Sequence, residues 1–469
     1  MTPDPTSSGT ALLDAAVGAV PIRCVTADGW ATIEAGLPAL QRSFAAATGF
    51  APKAGRVALL PGEDGGLGLV LFGLGEAKEG HRDRFLTGKL PGALPAGDYR
   101  LEPCDALDAV EAALAWLLGS YRFDRYRKPG DPRPRLVAPD GVDAAALGRI
   151  AQAVASGRDL INTPANDLGP AEVEAAVRAL GERFGAAVTV TAGAELGKEA
   201  PLVHAVGAAS PRAPRLIDLT WGAQDAPRVT LVGKGVVFDT GGLDIKPASN
   251  MLLMKKDMGG AAAALAAAEM IMGAGLPVRL RLIVPSVENA IAGDAFRPGD
   301  VIRSRAGLTV EIGNTDAEGR LILADALALA DAEEPDLILD FATLTGAARV
   351  ALGPDLPAFF TEDEGLAGAV AEAGLRVNDP VWRLPLHPPY ASLLESKVAD
   401  LNNAPGGGFA GAITAALFLR RFVRRTRAHV HFDLYGWNPS TKPGRPEGGE
   451  VQTARLAYAL VAERFGRKL

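Results

Sequence analysis

Apolar residues recur along the chain with two periods, one of two residues and one near 3.6, and the places where one gives way to the other outline the fold. Up to about Tyr126, short β-like runs such as Val57 to Leu60 and Leu69 to Phe72 accompany an alanine-rich helical run from Leu107 to Leu118, which predicts a small α/β domain. The stretch YRKPGDPRPRLVAPDG then breaks every period with prolines and arginines and reads as an exposed connection. Helical spacing returns from Val142 to Leu160. The turn formers NTPANDLGP, with Pro170 opening a further helical stripe, begin a second domain. Within it RVTLVG, VRLRLIVPSV, DLILDFATLTG and HVHFDLYG predict strands, and GGAAAALAAAEMIMGAG and RLILADALALADAE predict helices between them. The expected fold class is α/β: a smaller N-terminal α/β domain over residues 1–142, a linking helix over 143–161, and a larger domain over 162–469 with a mixed, mainly parallel sheet flanked by helices.

A chain of 469 residues exceeds one ordinary core, in agreement with two domains. With 48% hydrophobic and 22% charged residues it has the balance of a well-buried globular protein. The net charge of -7 does not favour phosphate backbones or anionic membrane. Cys24 and Cys104 lack C-x-x-C spacing, which removes a disulfide framework and a cysteine zinc site. The N-terminus has no basic segment and carries Asp14 in its apolar stretch, and the longest apolar run, Gly259 to Gly275, is broken by Glu269. Neither reads as a signal peptide or membrane span, so the expectation is a soluble cytoplasmic protein.

Two stretches place acids, lysines and glycines together just after strand-like runs, where ligands bind in parallel sheets. VGKGVVFDTGGLDIKPASNMLLMKKDMGGAA holds Lys234, Asp239, Lys246 and Asp257; EIGNTDAEGRLILADAL holds Asp316, Glu318 and Arg320. Four carboxylates in one crevice would repel by several kcal/mol unless cations neutralise them, and two divalent ions balance them charge for charge. Taken singly, each acid is more readily a solvated loop residue or a helix cap than a ligand, and Asp244 and Asp325 are read that way. The histidines His81, His204, His387, His429 and His431 show no metal-ligand spacing; His429 and His431 would share one face of a strand and are read as core residues.

The strings NTDAEGRL and GKG-x-x-FD-x-GG-x-x-x-K, with M-x-x-DMGGAA downstream, resemble the signatures of the leucine aminopeptidase (cytosol aminopeptidase) family. The similarity runs from NTPAN through HFDLYGWN, about two-thirds of the chain, and the tail GRPEGGEVQTARLAYAL is similar to the family's bacterial branch. The N-terminal domain carries no matching motif. The resemblance implies that residues 162–469 form a dimetal peptidase domain. It implies Lys234, Asp239, Asp257 and Glu318 as ligands of a tightly held ion, and Asp239, Asp316 and Glu318 as ligands of an exchangeable one. A ligating lysine must be neutral, which neighbouring dications favour. The same resemblance makes Lys246 the stabiliser of an oxyanion and gives Arg320, with Gly319 and Leu344, a bicarbonate that acts as general base. Nitrogen and carboxylate ligands suit Mn2+, Zn2+ or cobalt.

By the same resemblance, a peptide with a free N-terminus binds through its amino group to one metal and Asp257. A metal-bridged hydroxide then attacks the first peptide carbonyl. Met254, Asn314, Thr343 and Gly346 would line the first side-chain pocket, with leucine-like residues preferred, and the assembly would be a homo-hexamer. Two rivals are weighed. A nucleic-acid-binding role draws only on AALFLRRFVRRTR, read as a packed helix with a cationic face, and the net charge opposes it. A two-metal phosphoesterase is opposed by the lysine ligand and the NTDAEGRL string.

Overall fold

The computed structural model describes residues 11–76, 83–128, 130 and 132–466. The first ten residues, His81, Pro129 and Asp131, which enter the sequence reading, lie outside the described residues. The chain divides into two compact units, Met1–Ala155 with Ser440–Glu447, and Ser156–Pro439 with Gly448–Leu469. The division falls inside one helix, Ala144–Asn162.

The smaller unit is built on five strands: β1 (Val20–Thr26), β2 (Val57–Pro61), β3 (Leu67–Gly75), β4 (Asp98–Leu101) and β5 (Arg135–Leu136), in the order β2-β3-β1-β4-β5. Only β2 runs antiparallel to its neighbour. Strand β3 reads LGLVLFGLG and is buried from Leu69 to Leu74, the continuous apolar run of a strand covered on both faces. The helix Ala109–Gly119 buries every side chain from Ala112 to Leu118, and the Asp108 carboxylate caps it by accepting the Glu111 N–H. Cys24 and Cys104 are both free thiols.

In the larger unit the strands include β6 (Ala187–Ala192), β7 (Arg215–Trp221), β8 (Arg228–Gly233), β9 (Gly235–Asp239), β10 (Arg279–Asn289), β11 (Val301–Arg303), β12 (Thr309–Glu311), β13 (Leu337–Ala342), β14 (Ala358–Phe360), β15 (Trp382–Arg383), β16 (Leu401–Asn402) and β17 (His429–Asp433). The main sheet runs β15-β14-β17-β13-β8-β10-β7-β6, with β9 also on β10. Its centre, β17, β13, β8 and β10, is parallel, and the edges add antiparallel partners. The helix Glu318–Asp331 packs against Val232, Ile283 and Ile338. The helix Gly259–Gly273 has no polar stripe and is buried at every position from Gly259 to Met272. No helix among the described residues is long and apolar enough to cross a membrane.

One expectation is corrected here. The arginine-bearing segment is not one helix: the helix ends at Arg420, and the backbone N–H groups of Arg424, Arg425 and Thr426 turn to donate to the Asp331 carboxylate. Of the two readings given for Asp325, solvated residue or helix cap, the structure shows the cap: it is fully buried and accepts the N–H groups of Leu202 and Arg305 at 2.8 Å, so that it caps the helix Pro201–Gly207 from a distant part of the chain.

Candidate active site

The site forms at the carboxyl ends of the parallel strands. Lys234 follows β8, Asp239 closes β9, and Thr343 follows β13. Asp257 sits in a tight turn, Met254–Met258, ahead of the Gly259–Gly273 helix. Asp316 lies in the turn Thr315–Ala317, and Glu318 opens the next helix. Between Asp239 and Lys246 the chain reverses through Gly241 and Gly242, whose φ angles of 89° and 67° exclude most side chains. Asp244 is exposed, yet its carboxylate accepts the Thr315 N–H at 2.8 Å and thereby fastens the first motif to the second.

Charge is matched inside the cluster. Lys234 Nζ lies 2.8 Å from Asp257 Oδ2 and 2.9 Å from Glu318 Oε1, and donates to the Thr343 carbonyl at 3.0 Å. Lys246 Nζ lies 2.8 Å from Asp239 Oδ2 and also pairs with Asp316. Carboxylate oxygens of Asp239, Asp316 and Glu318 all lie within 4.8 Å of one another. Gly319 leaves the room Lys234 needs, since a Cβ there would stand 2.5 Å from Lys234 Cε.

Burial and repulsion from neighbouring acids dominate the titration of Glu318 and Asp316. Burial and the Asp239 charge hold Glu318 well above the ordinary carboxylate range and push Asp316 up to about 6. Burial opposes the charge on Lys234 and Lys246, but the surrounding carboxylates outweigh it and hold both ammonium groups above their usual value. Arg320 is pushed down to about 10 by burial, against the pull of Glu318 and Asp433.

Among the described residues, the buried atoms of the site that lack a hydrogen-bond partner include Glu318 Oε2, an acceptor, and Arg320 Nε, a donor. An unpaired carboxylate oxygen among clustered acids suits a cation, and an unpaired guanidinium N–H suits an anion. The donor set, one amine and four carboxylates with no thiolate, fits ions of the manganese or zinc kind. Lys234, Asp239, Lys246, Met254, Asp257, Asn314, Asp316, Glu318, Arg320, Thr343, Leu344 and Gly346 all line one cavity of about 540 Å³, with Gly319 behind Lys234. The Thr343 hydroxyl is engaged with Asp257 Oδ1 at 2.8 Å.

Three positioning residues escaped the sequence reading. Buried Asn289 donates to Asp239 Oδ1 at 2.9 Å and to the Thr315 carbonyl. Asn403 accepts the N–H groups of Gly313 and Asn314, donates to the Asn314 carbonyl, and offers its own carbonyl to Arg320. Asp433 accepts from Leu344 N, Thr345 N and the Thr345 hydroxyl, which fixes the loop after β13. Each acts across at least 26 residues of sequence; HFDLYG at the end of a predicted strand was the only visible signal.

Residues 155–459 match the model described as the cytosol aminopeptidase family, catalytic domain, and residues 20–139 match the N-terminal domain of the same aminopeptidases. A probable cytosol aminopeptidase of Roseiflexus castenholzii is 43% identical over 359 residues, covering 72% of this chain and 73% of that protein. Its counterpart from Brucella ovis is 39% identical over 432 residues, covering 86% and 84%. The crystal structure of cytosol aminopeptidase from Coxiella burnetii superposes with a TM-score of 0.93 at 45% identity, covering 97% of this chain and 99% of that one. The bottromycin maturation enzyme BotP in complex with Mn superposes at 0.86 and 35% identity, covering 96% and 100%. The chain belongs to the cytosol aminopeptidase family and is a metal-dependent aminopeptidase.

Proposed function

We propose that this chain removes residues one at a time from the free N-terminus of peptides, with two divalent ions, manganese or zinc, held in the carboxylate crevice. The observation that carries this reading is the grouping of Asp239, Asp316 and Glu318 oxygens within 4.8 Å, with Glu318 Oε2 buried and unpartnered. Lys234, Asp239, Asp257 and Glu318 would hold one ion, and Asp239, Asp316 and Glu318 the other. Such ions polarise a carbonyl and lower the pKa of water.

The protein groups do the rest. Asp257 accepts hydrogen bonds from the substrate's terminal amino group, which ties cleavage to the first residue. Lys246, once the carboxylates beside it are otherwise neutralised, stabilises the oxyanion of the tetrahedral intermediate. Arg320, with the backbone of Gly319 and Leu344, holds bicarbonate as the general base; its unpaired Nε and its place on the cavity wall support this. Met254, Asn314, Thr343 and Gly346 surround the first side chain, and leucine is the reference substrate. A homo-hexamer is the proposed assembly. The arginine segment offers little to nucleic acid, because Arg420 pairs with Glu362 and Arg425 with Glu334.

The test compares leucine p-nitroanilide with its N-acetyl derivative in the presence of manganese. Rapid release from the free amine alone is expected. Comparable release from the blocked substrate would remove the aminopeptidase assignment.

A further inference from the structure

The wall of the cavity beside Met254 and Gly346 is cationic. Lys256 lies in the same turn as Met254 and Asp257 and is only 5% exposed, and its ammonium stands 4.6 Å from the centroid of the Tyr435 ring. Arg349 is three residues beyond Gly346 in the helix Gly346–Leu352, so it lies on the same helical face, and its guanidinium stands 4.9 Å from the same centroid. A Cβ added to Gly346 would come 3.9 Å from Arg349 Nη2. All three side chains line the cavity that holds Asp257.

An unpaired guanidinium at an exposed position such as Arg349 is ordinary. A buried ammonium is not, because removal from water without a counter-ion is costly. The adjacent acid, Asp257, is already engaged by Lys234 and the Thr343 hydroxyl, and Glu318 by Lys234, while Asp239 and Asp316 face Lys246. Neither Lys256 nor Arg349 enters an ion pair among the described residues. The Tyr435 ring stands against both cations but neutralises neither. The pocket therefore presents two positive groups that await an anion.

Given the aminopeptidase reading, on which this inference rests, Asp257 fixes the terminal amino group and Met254 and Gly346 flank the first side chain. An anion that reaches Lys256 and Arg349 on this cavity wall is then a carboxylate on that side chain. We infer that Lys256 and Arg349, held on Tyr435, make a first-residue pocket that selects peptides beginning with glutamate or aspartate. The apolar contribution of Met254 accommodates the methylene groups of such a side chain, and leucine remains a substrate.

The test measures kcat/KM of the manganese-loaded enzyme on the p-nitroanilides of glutamate, glutamine, leucine and alanine. Glutamate is expected to exceed its neutral isostere glutamine by at least about tenfold. That ratio should collapse in Lys256→Met and in Arg349→Glu; the second variant alters an exposed side chain and so does not disturb the core. Cleavage of leucine with glutamate no better than glutamine would overturn the inference, as would an unchanged ratio in both variants. A preference for alanine over all three would mean that Tyr435 fills the pocket, which also overturns it. So would a charge preference seen only between the dipeptides Leu-Glu and Leu-Gln, which would place the cations on the leaving side. Inertness toward leucine and glutamate alike would instead sink the aminopeptidase reading beneath it.

Discussion

The main sheet buries two groups of charge, and they are arranged in opposite ways. In the heart of the sheet, Asp340 on β13 accepts from His429 at 2.6 Å and His431 at 2.5 Å across the parallel β13–β17 register. Despite burial, which pushes the other way, the two imidazoles hold Asp340 below the usual carboxylate range, and the same pairing outweighs burial to raise His431. The cavity beside them, of about 10 Å³, has room for no more than one water. At the carboxyl ends of the same strands, the acids around Lys234 open on about 540 Å³, repel one another, and leave Glu318 Oε2 unpartnered. In the closed space both Asp340 oxygens are paired and, among the described residues, only the far ring nitrogen of His431 lacks a partner, which suits a structural role; a group of acids left in excess at an open crevice is built for something that arrives later.

This contrast can be broken or sharpened by substitution. Glu318→Ala should have the largest effect, removing bound metal and lowering activity by more than about 10³-fold, a loss typical of dismantling an electrostatic catalytic centre; metal analysis beside an assay reads both. Lys246→Ala should keep its metal and lower kcat by about 10² to 10³, so equal metal loss in the two variants would erase the distinction between ligand and oxyanion group. In the closed group, Asp340→Asn should destabilise the larger unit by about 3 to 5 kcal/mol in denaturant titration, while the folded fraction still binds metal.

Asp325 provides the pH signature. It is pushed up to about 6 by burial, against hydrogen bonds from Arg305 and Leu202, and its usual value is 3.8. Between these values the folded state holds a proton that the unfolded state has released, so stability falls as pH rises through that window. The stability advantage of wild type over Asp325→Asn should therefore shrink between pH 4 and pH 7, by up to about 3 kcal/mol; a constant gap would refute the shift. The smallest expected effect is that of Asn289→Ala, which leaves Asp239 without its 2.9 Å donor and should weaken metal binding by about 10 to 100-fold.

The central strands and the two long helices of the larger unit were legible because each is a strong local pattern: LILDFA reads as a covered strand, and the run from Gly259 as a covered helix. The antiparallel edge formed by β6 and β7, and the small sheet of β11, β12 and β16, carry no comparable signal, since pairing partners are chosen by tertiary contact rather than by period. In the site, the motif acids and lysines were visible from residue type, and the structure gathers them around one cavity. Asn289, Asn403 and Asp433 were not, because their importance lies in which distant backbone or carboxylate they hold. The proposed first side-chain pocket shows the same limit. Met254 suggested an apolar lining, but the Thr343 hydroxyl is turned to Asp257, and Lys256 and Arg349, from separate segments, both stand against the Tyr435 ring, a placement that no local pattern carries.

The claim that two divalent ions neutralise the crevice is tested most directly by titrating metal-stripped protein with manganese and measuring bound metal per chain after removal of the excess. Two ions per chain in the wild type, with fewer than one in Glu318→Ala, is the predicted result. A wild-type protein that retains one ion or none at saturation, or a Glu318→Ala variant that still binds two, would contradict the account.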